Sequence, residues 1–84
     1  MTTMAASNDE RFRKTVAAIL GMSPTDVTDA LTPDDVDTWD SLNHINLMSA
    51  LEQEFGVLFN AAKLGEVQSV GRLRAALTEH GVAL

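Results

Sequence analysis

An all-α four-helix bundle, with three longer helices, one short helix and a long structured loop between helices one and two, is the fold this sequence predicts. Three observations carry the prediction. Apolar residues recur at helical spacing in three separate stretches. Each stretch has a capping residue before it and a glycine after it. No run alternates apolar and polar residues as a half-buried strand does.

The first helix spans about Asn8 to Leu20. Ser7 followed by Glu10 has the form of a capping box, Phe12, Val16, Ile19 and Leu20 share a face, and Gly21 is a natural stop. Arg11, Arg13 and Lys14 fall among its outward positions, so one end of the molecule should be basic and the middle acidic. From Met22 to Trp39 no long periodic segment occurs. "SPTD" and "TPDD" each mark a turn or a single helical turn, and Val27, Leu31, Val36 and Trp39 are candidates to pin the loop to the core. A connection this long is usually functional or internally structured.

The second helix runs from about Ser41 to Phe55, with Gly56 ending it. At about 100° per residue, Ile45, Leu47, Met48, Leu51 and Phe55 form one broad apolar face, with Asn43, Asn46 and Gln53 opposite. Leu42 falls outside that arc and should be exposed beside Ser41. Asn60 opens a brief helix ending near Leu64 and Gly65. Ser69 caps the last one, whose Val70, Leu73, Ala76 and Leu77 face inward before Gly81.

The bulk properties bound what such a bundle can do. The 84 residues suffice for one domain, and 45% apolar content is too high for a disordered chain. Residues 1–7 read as a flexible polar tail and residues 8–84 as the domain. With no Cys there is neither a disulfide nor a thiol nucleophile nor a thiolate metal site. The start "MTTMAASNDE" does not resemble a signal peptide and no apolar run approaches a membrane span, so a cytoplasmic chain with no membrane partner is expected. Twelve acidic against six basic residues give a formal charge of −6, which argues against nucleic acid and for partners with basic surfaces.

Ser41 is the residue that asks for an explanation, and three roles are open to it. As a nucleophile it would have His44 three residues on, with Asp40 or Asp37 to orient the imidazole, but there is no G-x-S-x-G elbow and no evident oxyanion hole. As a neighbour of calcium it would sit beside Asp26, Asp29, Asp34, Asp35, Asp37 and Asp40, but no register of these places Gly sixth and Glu twelfth in a loop. As an attachment point it would face solvent at a helix start, where unpaired backbone N–H groups favour an anion such as a phosphate ester. Asp40, just before it, is able to act as the N-cap.

The run "DSLNHINLMSALEQEFGV" resembles the acyl carrier protein family, in which D-S-L opens helix two and the serine receives 4′-phosphopantetheine. "ALEQEFGV" is similar to the family's close to that helix, "EVQSV" to the entry of its final helix, and the likeness spans roughly Asn8 to Gly81. The resemblance implies that Ser41 is the covalent attachment site, with Asp40 and Leu42 as its flanking motif positions, and that a phosphopantetheinyl transferase delivers the arm from coenzyme A. It implies a discrete, monomeric carrier that is not an enzyme and involves no metal. Its partners would be acyl-loading, acyl-transfer or condensing enzymes with basic docking surfaces. Asp35, Asp37, Asn43, Asn46, Met48 and Glu52 are the candidate partner-binding residues.

Two features depart from carriers of primary fatty-acid synthesis. Asn43 and Asn46 replace acidic residues, and Trp39 replaces a small one, a pattern more like free-standing carriers of specialised pathways such as polyketide biosynthesis. A primary fatty-acid carrier and an unmodified acidic helical interaction module are the competing expectations.

Overall fold

The computed structural model describes residues 7–84, so the expected tail lies, apart from Ser7, outside the described residues. Helix α1 is Asn8–Leu20, and the Ser7 hydroxyl accepts from the Glu10 N–H at 3.1 Å. Helix α2 is Ser41–Phe55, α3 is Ala61–Glu66 and α4 is Val70–Glu79. Asp40, Asn60 and Ser69 are their N-caps, each accepting from the N–H three residues on. Gly56 ends α2 at φ 66°, a left-handed backbone that costs a glycine little. No strand occurs among the described residues, and the four-helix expectation holds.

Two local expectations need correction. α3 continues through Gly65 to Glu66, because the helix is closed by Val67, whose side chain is in the core and whose N–H reaches the Lys63 carbonyl. Ile45 is 53% exposed and lies outside the apolar face of α2. At about 100° per residue the inward stripe is centred on Leu47, Met48 and Leu51, roughly a third of a turn from Ile45, and it is His44 that continues the stripe toward the helix start. Leu42 and Ile45 are therefore neighbours on the outer face.

The core joins Phe12, Val16 and Leu20 of α1 to Leu47, Met48 and Leu51 of α2 and to Val70, Leu73 and Leu77 of α4. The long loop contributes Val27 and Trp39, both buried, and Leu31 and Val36, partly buried. Its "SPTD" forms a 3₁₀ turn at Pro24–Asp26, and Asp35 closes the next turn by accepting from the Thr32 N–H and hydroxyl.

Backbone pairing fastens the loop to α4. A helix start leaves its first N–H groups without intrahelical partners. Here the Val70 N–H donates to the Leu31 carbonyl and the Gly71 N–H to the Asp29 carbonyl, both at 3.0 Å, while Ser69 Oγ takes the Arg72 N–H. Gly71 is a glycine for this reason: a Cβ there would come within 3.2 Å of the Asp29 oxygen. Arg74 then binds Asp29 and Asp9 and lies over the Phe12 ring, joining loop, α1 and α4.

The basic end expected on α1 is largely neutralised. Arg11 pairs with Glu54 at 2.7 Å and covers the half-buried Phe55 ring, while Arg13 pairs with Asp9 at 3.0 Å.

Two stability measurements follow from this packing. Leu47 is fully buried and Leu42 is 67% exposed, so Leu47→Ala should cost about 2–5 kcal/mol in urea unfolding and Leu42→Ala no more than about 0.5 kcal/mol. The second concerns Asp9, which titrates below the ordinary carboxylate range, chiefly because Arg74 donates a hydrogen bond to it. A lowered folded-state pKa contributes stability above the unfolded value of about 3.9 and loses it as pH falls through the folded value. Asp9 is 40% exposed, so solvent screening keeps the contribution below about 1 kcal/mol. Asp9→Asn should therefore be slightly less stable than the parent at pH 7, with the gap closing as the solution is acidified below pH of about 4.

Candidate functional site

Ser41 is the first residue of α2, exposed, on a chain that enters the helix from the extended backbone of Asp40. Asp40 does the capping: its carboxylate accepts from the Asn43 N–H at 2.8 Å, and its carbonyl from the His44 N–H at 2.8 Å. Among the described residues no hydrogen bond involves Ser41 Oγ, and the N–H groups of Ser41 and Leu42 are also without protein partners. The serine is thus freed from the duty that most often explains a serine at a helix start.

Two side-chain bonds bracket Ser41. Asn43 Nδ2 donates to the Thr38 carbonyl at 2.7 Å, and Trp39 Nε1 donates to His44 Nδ1 at 3.0 Å. An indole N–H is only ever a donor, so Nδ1 of His44 is the acceptor and the proton of the neutral ring is on Nε2. That Nε2–H donates to the Leu64 carbonyl at 2.7 Å, reaching α3. Leu64 is in the last turn of α3, where carbonyls lack intrahelical donors. The Trp39 and His44 rings lie 24° from parallel, 6.1 Å between centroids. Thr38 donates its hydroxyl to the Leu20 carbonyl at 2.6 Å, so the same segment also closes the end of α1.

This geometry bears on the nucleophile reading. Both ring nitrogens of His44 are engaged away from Ser41, and the Asp40 carboxylate is engaged with α2's own backbone. Nothing here presents a base to the serine. The six aspartates from Asp26 to Asp40 are all exposed; Asp29, Asp35 and Asp40 also accept hydrogen bonds that hold the loop and the start of α2. Neither Lys nor Arg occurs between Lys14 and Lys63, so the stretch holding Ser41 has no Lys or Arg of its own. Among the described residues no three His, Cys, Asp or Glu gather as metal ligands.

Of the candidate partner-facing residues, Asp35, Asp37 and Asn46 are exposed and Asn43 is half-buried. Glu52 is half-buried and accepts from the Phe59 N–H at 2.8 Å, holding the turn after α2. Met48 is 2% exposed: it stands on the inward stripe and belongs to the core, not to a contact surface. Sequence reasoning missed the pairing of Trp39 with His44. The signal was available, because a buried tryptophan needs an acceptor for its N–H and a histidine five residues on is one. The Leu64 carbonyl carried no such signal.

The residues fit a phosphate-linked group on Ser41. The hydroxyl is exposed and unbonded, and the adjacent Ser41 and Leu42 N–H groups remain for an anion at the positive end of α2. No helix among the described residues is long and apolar enough to cross a membrane.

The family model described as a phosphopantetheine attachment site matches residues 10–77, from within α1 to near the end of α4. A comparison with curated proteins finds no match. The family's prosthetic group is a covalently held 4′-phosphopantetheine, and its general partners are a phosphopantetheinyl transferase and acyl-handling enzymes. With its all-helical fold and a match over most of its length, this chain belongs to the phosphopantetheine attachment-site family and is a phosphopantetheine-bearing carrier protein of the acyl carrier type.

Proposed function

We propose that Ser41 is the attachment site and that the chain is a discrete acyl carrier, non-catalytic and cytoplasmic, acting as a monomer in a specialised pathway such as polyketide biosynthesis. The observation that carries the reading is the division of labour at the start of α2: Asp40 caps, and the exposed Ser41 hydroxyl is left without a bond. When bound, the arm supplies a terminal thiol that holds an acyl group as a thioester, a function for which this cysteine-free chain has no group of its own.

In the loading step Ser41 Oγ bonds to the phosphorus nearer the pantetheine of coenzyme A. The bond from that phosphorus to adenosine 3′,5′-bisphosphate breaks, and the serine proton leaves to a base of the transferase. The chain's contribution is presentation. Residues 8–84 act as one carrier domain, with Asp40 and Leu42 flanking the serine.

The pathway reading rests on the outer face of α2. Leu42 and Ile45 are exposed there with the uncharged Asn46, and Asn43 stands beside them. Acids are concentrated instead in the preceding loop, at Asp34, Asp35 and Asp37. A partner for this surface needs a neutral, partly apolar contact for α2 and a basic contact for the loop. Asp35, Asp37, Asn43 and Asn46 are the residues we assign to partner contact; Met48 is left out because it belongs to the core, and Glu52 because its carboxylate is engaged with the Phe59 N–H.

Incubating the apo-protein with coenzyme A and a broad-specificity phosphopantetheinyl transferase should add the mass of one phosphopantetheinyl group, and Ser41→Ala should add none. An unmodified wild type, under conditions that load a control carrier, would favour an interaction module that carries nothing.

A further inference from the structure

We propose that His44 is the positioning residue for Ser41. It holds the first turn of α2 in place by receiving the Trp39 indole N–H and giving its own N–H to the Leu64 carbonyl. The inference rests on Ser41 being the attachment site and assigns the residue that regulates its presentation.

The first turn of α2 has little else to hold it. The buried residues of the helix begin at Leu47, so Ser41 to Asn46 contribute no fully buried side chain. Among the described residues, the bond from His44 Nε2 to the Leu64 carbonyl, at 2.7 Å, is the one side-chain hydrogen bond that joins this turn to another helix. The other end of the relay is anchored by Trp39, 3% exposed, whose indole N–H lies 3.0 Å from His44 Nδ1. Trp39 is two residues before Ser41 and His44 three after it. The bond between them closes the chain around the serine, beside the parallel closure from Asn43 to the Thr38 carbonyl.

A histidine suits this place because a neutral imidazole has one acceptor and one donor at opposite sides of a rigid ring. Alanine has neither. Glutamine has both, on an amide that bridges a donor and an acceptor over a similar span. Losing the relay frees the serine from its fixed place while leaving Ser41, Asp40 and Leu42 unchanged. Such a loss of position lowers the rate at saturation. A variant that merely unfolded in part would instead present fewer competent molecules, which raises the apparent KM and leaves kcat intact.

The test follows phosphopantetheinyl transfer from coenzyme A to full-length wild type, His44→Ala and His44→Gln by intact mass, with circular dichroism melts to verify folding. For His44→Ala, kcat should fall about tenfold or more with KM changed less than about twofold, and His44→Gln should recover to within about threefold of wild type. Nitrogen NMR should find His44 protonated on Nε2, and the Ser41 amide resonance should move in His44→Ala and return in His44→Gln. Equal kcat in all three proteins, a glutamine variant as slow as the alanine one, or a ring protonated on Nδ1 overturns the inference while leaving Ser41 as the attachment site. A wild type that takes no group, or a Ser41→Ala that still takes it, overturns the reading of Ser41 and this inference with it.

Discussion

The indole of Trp39 is buried, and its one polar atom has to be satisfied inside the protein. An unpaired donor there would cost about 1–3 kcal/mol, a large share of the stability of a domain this small. His44 supplies the acceptor, and in doing so is fixed as the neutral tautomer that reaches on to α3. One buried N–H thereby sets where the long loop ends, where α2 starts and how α2 faces α3. The exposed serine between these two residues takes its place from that constraint.

The rest of the loop follows the same logic of satisfied backbone. Its carbonyls at Asp29 and Leu31 receive the first N–H groups of α4, Gly71 gives them room, and Arg74 secures the same corner with two carboxylates. Thr38 takes up the last carbonyl of α1. A connection of this length would be expensive to hold by apolar contacts alone, since each ordered residue costs about 1–2 kcal/mol of backbone entropy. Here it also completes the ends of three helices.

Helix ends were the most legible part of this fold in the sequence. Ser7, Asn60, Ser69 and the glycines after α1, α2 and α4 act locally, so a residue and its near neighbours suffice to place them. The failures came where the decision is tertiary. Ile45 looked inward because it is apolar, yet the stripe centred on Leu47 and Leu51 passes through His44, a half-buried polar residue held by its two bonds. The brief third helix, expected to end near Leu64 and Gly65, ends one residue on at Glu66, where Val67 enters the core. Met48, a candidate for partner contact, has its register with Leu51 and lies in the core. Around Ser41, the capping by Asp40 and the exposure of Leu42 were readable from their order in the chain, whereas the partner of Trp39 required knowing that the indole is buried and where α3 passes.

The hydrogen bond between Trp39 and His44 ties the end of the long loop to the first turn of α2. It is open to direct observation, because a bond from N–H to N transmits a scalar coupling between the two nitrogens. In uniformly ¹⁵N-labelled protein the indole nitrogen of Trp39, the chain's one tryptophan, should couple to Nδ1 of His44, and its N–H should exchange slowly with solvent. An indole proton that exchanges at the rate of a free one, with no coupling to His44, would mean that this bond does not exist in solution.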